Sequence, residues 1–515
     1  MFKITRVLIS DDIDPKCVQI LRDNGIEVDF KPKMPKAALL EEIGNYDALL
    51  VRSATKVTAD VLQAGGKNLK LIGRAGTGVD NIDVEHATRQ GIVVMNTPAG
   101  NSRSAAELTC SMIMCLARHV PQAHMSMKLG KWDRKVYMGE EVHGKTLAII
   151  GLGRIGRDVA SRMQGFGMKT IGFDPVMSAS TAAEFGVEFM QLDDIWPLAD
   201  YITVHVPLME STRDLINLDV MRRCKPTVRL INCARGGIIN EIDLLTALDQ
   251  GLVAGAAFDV YEQEPPTNRA LVDHARVICT PHLGASTIEA QQRVAVEISD
   301  NIVALNQGSG FFGAINAGNL LASADSNNRP WLTATENLTR VACVLNPKTK
   351  KFDVIFPREL QPIAKALSAA VSLGYLKAMG KNGPATSVNM LNAELVADEI
   401  TVKMSPNESN EEHRTIVIVT DTNEVAGGPV GDTTNVHRVD ENIWDVFIRK
   451  ESCLAMTHKK ALLDIVDELN PQLYSKCSFA IIPTVDEPMI VVTVATCTDR
   501  QQQQLCDVFG CCVKF

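Results

Sequence analysis

Three side chains of complementary chemistry each follow a β-like run in the middle of the chain. They are Arg235 in Asn232-Cys233-Ala234-Arg235-Gly236-Gly237, Glu264 in Glu264-Pro265-Pro266, and His282 in Pro281-His282-Leu283-Gly284. Imidazole has an ordinary proton affinity near neutrality, which suits it to take a proton from a hydroxyl. A carboxylate on its far ring nitrogen fixes the tautomer and stabilises the imidazolium that forms. An arginine neutralises a substrate carboxylate and polarises a developing carbonyl. Hydride leaves a hydroxyl-bearing carbon only as the hydroxyl loses its proton, so the trio fits dehydrogenation of a 2-hydroxy acid. His282 is assigned as the base, Glu264 as its partner, held by the two prolines that follow, and Arg235 as the carboxylate clamp. The other nine histidines, His205 included, read as structural or solvated.

A hydride needs an acceptor, and Thr146 to Pro175 supplies a place for one. Leu147-Ala148-Ile149-Ile150 reads as a strand buried on both faces. It ends at Gly151-Leu152-Gly153-Arg154-Ile155-Gly156, and a helical pattern follows through Val159, Met163 and Phe166. A second strand, Thr170-Ile171-Gly172-Phe173, stops at Asp174. Gly151 permits the tight turn, Gly153 lets backbone approach a pyrophosphate, and Gly156 lets helix and strand pack closely. The helix N-terminus offers free N–H groups to the phosphates, and Asp174 is placed to bind both ribose hydroxyls and to repel a 2′-phosphate. The expected cofactor is therefore NAD.

The elements that must position these groups are alternating βα units, which imply parallel sheets covered by helices. Five short runs precede the glycine turn: Arg6–Ile9, Glu27–Phe30, Ala48–Val51, Leu69–Ile72 and Ile92–Met95. Four more follow Asp174, at Ile202–Val206, Val228–Asn232, Ala254–Phe258 and Val277–Cys279, making six strands in the second sheet. Ligands bind such sheets beyond the carboxyl ends of the strands. In the first sheet those ends carry Arg52-Ser53, Arg74-Ala75-Gly76-Thr77-Gly78 and Asn96-Thr97-Pro98, the last leading to Asn101-Ser102. Two guanidinium forks beside a turn that exposes N–H groups suit a small anion such as a carboxylate or phosphate. If both sheets point into one cleft, Arg235, Glu264 and His282 meet the Arg52/Arg74 edge. Ser102 can cap a largely apolar helix through Ala117, and Lys131-Trp132-Asp133-Arg134-Lys135 reads as a solvated loop with its tryptophan packed on the body.

The whole chain bounds these readings. Its 515 residues suffice for three or four domains. A formal charge of −9 and a pI near 5.7 give no general attraction for nucleic acid or anionic membrane, so local arginines must gather any anionic substrate. No apolar run spans a membrane, and the first strand begins too early to leave room for a targeting peptide. The 13 cysteines are scattered, without a C-x-x-C pair, which argues against zinc or dithiol redox sites and for a reducing, cytoplasmic setting. No metal site is expected.

Together the glycine turn, the Arg235 segment, Glu264-Pro265-Pro266 and Pro281-His282-Leu283-Gly284-Ala285 resemble the D-isomer-specific 2-hydroxyacid dehydrogenases. Val51-Arg52-Ser53-Ala54-Thr55-Lys56-Val57-Thr58, Gly73-Arg74-Ala75-Gly76-Thr77-Gly78-Val79-Asp80-Asn81, Ala105-Ala106-Glu107-Leu108-Thr109 and Gly130-Lys131-Trp132 are similar to the animal members that act on 3-phospho-D-glycerate. The match is dense from Val7 to Asn316. It implies oxidation to 3-phosphohydroxypyruvate, the first step of L-serine biosynthesis from glycolysis, in a homodimer or homotetramer. Expected cofactor contacts are Gly151, Gly153, Arg154, Ile155, Gly156, Asp174, Thr77, Val206, Cys233, Ala234 and Asp259. Expected substrate contacts are Arg52, Ser53, Arg74, Gly76, Asn101 and, at a family position that reaches a neighbouring subunit's site, Arg134. Two other readings remain on the same fold: a glyoxylate or hydroxypyruvate reductase, and an NAD-sensing corepressor.

The expected fold class is thus α/β. Two Rossmann-like lobes, a substrate-binding domain of residues 1–98 plus 285–316 and an NAD-binding domain of 99–284, precede two smaller domains. A helix from Glu289 to Asn306 returns to the first lobe, and the polar run from Asn316 to Arg329 reads as a linker. Residues 317–449 form an α+β intervening domain with a helix from Ile363 to Met379, an acidic loop from Ser405 to Glu412, and the family-like run Ser387 to Leu395. From Val446 a strand opens a ferredoxin-like βαββαβ pattern of regulatory type, spanning 450–515, with a helix from Lys459 to Leu469. Serine-sensing members carry an Asn and a Gly after that first strand. Here Met456-Thr457-His458-Lys459 stands there, which favours a structural or oligomerising role at least as much as serine inhibition.

Overall fold

The structure is a computed structural model that describes residues 3–267, 269–310, 312–380, 388–407, 415–431, 433–440, 442–448, 453–457, 477–482, 489–494, 505 and 512–514. The first sheet contains β1 (Arg6–Ile9), β2 (Glu27–Phe30), β3 (Ala48–Val51), β4 (Leu71–Arg74) and β5 (Val93–Met95), in the order β2-β1-β3-β4-β5 with every pair parallel. Val7–Ile9 of β1, all of β3 and Leu71–Gly73 of β4 are buried, as apolar runs covered on both faces must be. The fourth strand lies two residues later than the apolar run suggested, because Gly73 and Arg74 continue the ladder opposite Leu50 and Val51. Arg74 is therefore the last residue of its strand, one position from the level of Arg52.

The second sheet contains β6 (Thr146–Ile150), β7 (Lys169–Phe173), β8 (Glu188–Phe189), β9 (Tyr201–Val204), β10 (Arg229–Asn232), β11 (Gly255–Phe258) and β12 (Val277–Cys279). The order is β12-β11-β10-β9-β6-β7-β8, all parallel, so it has seven strands rather than six. The extra strand is two residues long, too short to show a period in sequence. The register pairs Asn232 with Phe258 and Phe258 with Cys279, which brings the loops carrying Arg235, Glu264 and His282 out side by side.

The Ile288–Asn306 helix packs Val294, Ala295, Ile298 and Ile302 into the first sheet's core beside Ile9, Cys17 and Leu21. Asn306 fastens its end to the backbone of Ile4 at 2.8 and 2.7 Å. The Ser102–Arg118 helix starts at the expected cap residue itself, one position early: Asn101 occupies the cap position, and the Ser102 hydroxyl donates to the Pro98 carbonyl. Trp132 is 71% exposed rather than packed down, and Met125, Met127, Leu129, Val136 and Met138 around it are exposed as well. These residues belong to an excursion that leaves at His119 (φ +52°) and returns where the Glu140 N–H donates to the Ala117 carbonyl.

Beyond Asn316 the polar run is no simple linker, since Gly318–Ala324 is helical. A third sheet of β13 (Lys351–Pro357), β14 (Thr401–Asn407), β15 (Ile416–Val419), β16 (Glu424–Val430), β17 (Thr433–Val439) and β18 (Asn442–Ile448) runs in the order β14-β13-β15-β16-β17-β18. Leu338 and Val341 of the Arg329–Leu345 helix, together with Leu367 and Val371 of the Ala364–Ala378 helix, share a core with Phe352, Val354 and Phe356 of this sheet. Ser405 to Asn407 belong to β14 rather than to a loop, and the rest of that segment lies outside the described residues. Val446 belongs to β18, so the last sheet begins later: β19 (Cys453–Thr457), β20 (Cys477–Ile482), β21 (Met489–Val494) and β22 (Cys512–Lys514), ordered β20-β21-β19-β22 and antiparallel throughout. The expected Lys459–Leu469 helix and the turn residues His458 and Lys459 lie outside the described residues. Among the described residues no helix is long and apolar enough to cross a membrane, and no cluster of three His, Cys, Asp or Glu side chains could hold a metal.

Candidate active site

His282 lies just beyond β12 with φ +55°, a conformation a bulky residue adopts only when its surroundings impose it. The source of that constraint is Asp259, fully buried at the end of β11. Its Oδ1 accepts from the Thr280 hydroxyl at 2.6 Å and the Leu283 N–H at 2.7 Å, and its Oδ2 accepts from the Gly284 N–H at 2.8 Å. Both carboxylate oxygens are thus committed to the loop that presents the imidazole.

The ring's Nδ1 stands 2.7 Å from Glu264 Oε2, and Glu264 Oε1 accepts from the Tyr261 N–H at 3.1 Å. A backbone donor therefore orients the carboxylate, where sequence pointed only to the neighbouring prolines. Burial alone would raise the Glu264 carboxyl, but the His282 hydrogen bond and charge and the Tyr261 N–H hold it below the ordinary glutamate value. It remains a carboxylate at neutral pH, able to fix the ring tautomer and face an imidazolium.

Arg235 is set by the turn after β10. Buried Asn232 cinches that turn, donating to the Arg235 carbonyl at 2.8 Å and accepting from the Ala234 N–H at 3.0 Å. The guanidinium donates from Nη1 to the Ala234 carbonyl at 2.6 Å and from Nε to Asp80 Oδ2 at 2.9 Å. Asp80 belongs to the loop after β4, so this bond runs from one parallel sheet's loops to the other's. Sequence reasoning missed Asp80; the available signal was an acid two residues past the last glycine of a loop already marked as anion-binding.

Arg74 is the most constrained cation of the site. Its Nε is buried without a hydrogen-bond partner among the described residues. Burial pushes its pKa down to about 10; the nearby charge of Arg235 adds to that, and Asp80 opposes it. Arg52 is likewise lowered by burial, against Asp11 and Asp12. Asp11 accepts the Arg52 N–H at 2.6 Å, and the Arg52 side chain reaches the Asp12 carbonyl at 3.2 Å. Ser53 beside it is exposed. The Gly76–Gly78 turn is pinned from below: Asn96 donates to the Thr77 carbonyl, the Thr97 N–H to the Gly76 carbonyl, and the Thr77 hydroxyl to Asn101. Gly76 has φ +155°, and a methyl there would lie 2.9 Å from Arg74 Nη1. Three guanidiniums and a glycine turn so arranged can receive a substrate with two anionic ends.

The NAD turn can be tested against its fit. Gly151 has φ +98°, and a methyl on it would fall 2.7 Å from the His205 carbonyl carbon. A methyl on Gly156 would meet the Gly151 carbonyl oxygen at 2.1 Å, so helix and strand approach as closely as expected. A methyl on Gly153 meets no protein atom within 4 Å; space is left there for something other than protein. Gly153 and Arg154 are exposed at the head of the Arg154–Gly165 helix, with Ile155 half-buried behind them. Asp174 accepts the Leu152 N–H at 2.9 Å, which places its carboxylate against the turn. Val206 follows β9, and a methyl on Gly151 would also fall 3.0 Å from its Cγ1; Cys233 and Ala234 follow β10, and burial pushes the Cys233 thiol up to about 12, so it is an inert thiol. Burial also pulls the His205 imidazole down to about 4, a neutral ring with its Nε2 3.0 Å from the Thr203 hydroxyl. Arg134 is exposed and makes no hydrogen bond or ion pair among the described residues of its own chain.

Residues 110–284 match the D-isomer specific 2-hydroxyacid dehydrogenase NAD-binding domain, which defines the class: an NAD-dependent oxidoreductase. Over 408 residues the chain is 51% identical to D-3-phosphoglycerate dehydrogenase of Homo sapiens, covering 79% of this chain and 76% of that one. Over 411 residues it is 42% identical to the enzyme of the same name from Bacillus subtilis, covering 79% and 77%. Its fold is similar to D-lactate dehydrogenase from Aquifex aeolicus complexed with NAD and lactic acid, with a TM-score of 0.52 and 28% identity over 59% of this chain and 96% of that one. The chain belongs to the D-isomer specific 2-hydroxyacid dehydrogenase family, among its D-3-phosphoglycerate dehydrogenases.

Proposed function

We infer that the protein oxidises 3-phospho-D-glycerate to 3-phosphohydroxypyruvate with NAD, the first step of L-serine biosynthesis from glycolysis. The observation that carries this reading is the His282–Glu264 pair at 2.7 Å, on loops adjacent to Arg235 and facing the Arg52/Arg74 edge. NAD, when bound, supplies the hydride acceptor. Gly151, Gly153, Arg154, Ile155 and Gly156 would hold its pyrophosphate and Asp174 its ribose. Thr77, Val206, Cys233, Ala234 and Asp259 line the remainder of the cleft, Asp259 through the loop it fixes. His282 takes the hydroxyl proton at Nε2 while Glu264 stabilises the ring's positive charge through Nδ1. Arg235 and the N–H groups of Thr77 and Gly78, in the turn that Gly76 opens and with help from Asn101, hold the carboxylate and the developing carbonyl. Arg52, Ser53 and Arg74 take the phosphate, and the reason to expect an anion there is the crowding of the Arg74 charge by those of Arg235 and Arg52 in a partly buried edge.

The same reading divides the chain at 1–98 with 285–316, 99–284, 317–449 and 450–515. It places the protein in the cytoplasm, in keeping with the free thiols of Cys17, Cys110, Cys115, Cys224, Cys233, Cys279 and Cys343. The exposed apolar excursion around Trp132 supports a homodimer or homotetramer in which that arm lies on a second copy and brings Arg134 to the copy's substrate. The last sheet's order, second-third-first-fourth and antiparallel, supports a ferredoxin-like unit of regulatory or oligomerising type.

The test is absorbance of the reduced cofactor with purified protein: its appearance with NAD and 3-phospho-D-glycerate or D-glycerate, and its disappearance when NADH is supplied with 3-phosphohydroxypyruvate, glyoxylate or hydroxypyruvate. Preference for the phosphorylated acid is expected. Preference for glyoxylate or unphosphorylated hydroxypyruvate would make it a reductase of that kind, and NAD binding without turnover would favour the corepressor reading.

A further inference from the structure

The Arg235–Asp80 pair belongs neither to the acid–base couple nor to the phosphate edge, yet it joins one sheet's loops to the other's. With 65% of the Asp80 side chain exposed, it adds little to folding stability, so its effect must be sought elsewhere. A guanidinium has five N–H groups. Here Nε is committed to Asp80 and one Nη1 hydrogen to the Ala234 carbonyl, which leaves the Nη2 edge for a ligand. That edge lies directly against Gly78: a methyl on Gly78 would fall 1.7 Å from Arg235 Nη2 and 2.7 Å from Asp80 Oδ2.

We propose that Asp80 is a positioning residue for the reaction: it sets the rotation of the Arg235 fork across the cleft, so that the Nη2 edge meets the substrate carboxylate at the glycine turn. The proposal rests on the site reading given above. Asp80 is also a counter-charge in a cluster of three cations, since it acts electrostatically on Arg74 beside Arg235 and Arg52. Its two effects have opposite signs. Removing its charge makes the pocket more positive and strengthens the grip on any anion, while it frees the guanidinium to turn away from the reacting carbon. A residue that merely supported the loop would weaken binding and turnover together.

The experiment is steady-state kinetics of Asp80→Asn and Asp80→Glu with NAD and 3-phospho-D-glycerate, alongside inhibition by inorganic phosphate and thermal melting. Asp80→Asn is expected to lower kcat by roughly 10- to 100-fold, the scale of loss that a misplacement of about 1 Å causes. Its KM is expected to stay level or fall, inorganic phosphate to inhibit more strongly, and Tm to hold. Asp80→Glu, which keeps the charge and the acceptor, should recover part of the rate. A kcat within twofold of wild type in Asp80→Asn, or KM rising in step with the loss of kcat, would overturn the proposal. Failure of the wild-type protein to turn over 3-phospho-D-glycerate would instead defeat the underlying site reading, so the two failures are told apart.

Discussion

Replacing Glu264 with glutamine isolates the charge behind His282, because the amide keeps an acceptor oxygen of nearly the same size facing Nδ1. Two unit charges about 4 Å apart attract by about 1 kcal/mol in bulk water and about 4 kcal/mol at an effective dielectric of 20. The His282 and Glu264 side chains are 46% and 38% exposed, which places the pair between those limits. A loss of about 1–3 kcal/mol in transition-state stabilisation corresponds to roughly a 5- to 150-fold fall in kcat. NAD affinity should not change, since no atom of the glycine turn is touched. The pH dependence has a definite sign. Glu264 is held below its ordinary value, so its contribution is complete above the unfolded glutamate value of about 4.3 and is lost only as pH falls through the lower folded value. Glu264 should therefore stay ionised from about pH 6 to 9, and the wild-type advantage should persist throughout that range. Steady-state rates of NAD reduction across that range measure it. A Glu264→Gln kcat within twofold of wild type throughout would refute the argument that this carboxylate assists the ring.

Asp174→Ala should weaken NAD binding and relax discrimination against NADP; parallel titrations with the two cofactors check it, and an unaltered preference removes the ribose role. Arg74→Ala should reduce kcat/KM for 3-phospho-D-glycerate by about 10- to 150-fold, the worth of a hydrogen bond to a charged group. The same substitution should affect D-glycerate far less, and equal losses on both acids would count against phosphate recognition. Asp259→Ala strands the Leu283 and Gly284 N–H groups, each costing about 1–3 kcal/mol when buried and unpaired. It should lower both Tm and kcat, and an unchanged kcat would show that His282 holds its backbone conformation without that carboxylate.

Much of this site was legible because parallel α/β folds place chemistry at strand ends. Once apolar runs marked the strands, the residues just beyond them were the candidates, and register later showed why Arg235, Glu264 and His282 emerge together. What could not be read was contact between distant loops. Asp80, separated from Arg235 by 155 positions, and Tyr261, acting through its backbone, carry no side-chain pattern that announces their partners. Asp259 was read as a cofactor contact, while its oxygens are occupied by the His282 loop. The Trp132 segment was misjudged for a different reason: sequence shows amphipathic character but not whether the covering surface belongs to the same chain. In the third unit the Arg329–Leu345 helix went unread because Pro330, Thr333, Thr335 and Thr339 dilute its helical pattern, although its buried face is continuous in the fold.

The central claim is that a proton leaves the substrate hydroxyl through His282 as the hydride departs. The most direct test is a single-turnover measurement of reduced-cofactor absorbance after mixing wild-type and His282→Ala protein with NAD and 3-phospho-D-glycerate. The expected result is rapid reduction by the wild type, and a rate lower by about 10²- to 10⁴-fold in the variant with NAD affinity retained. Comparable rates from the two proteins would contradict the assignment of His282 as the base.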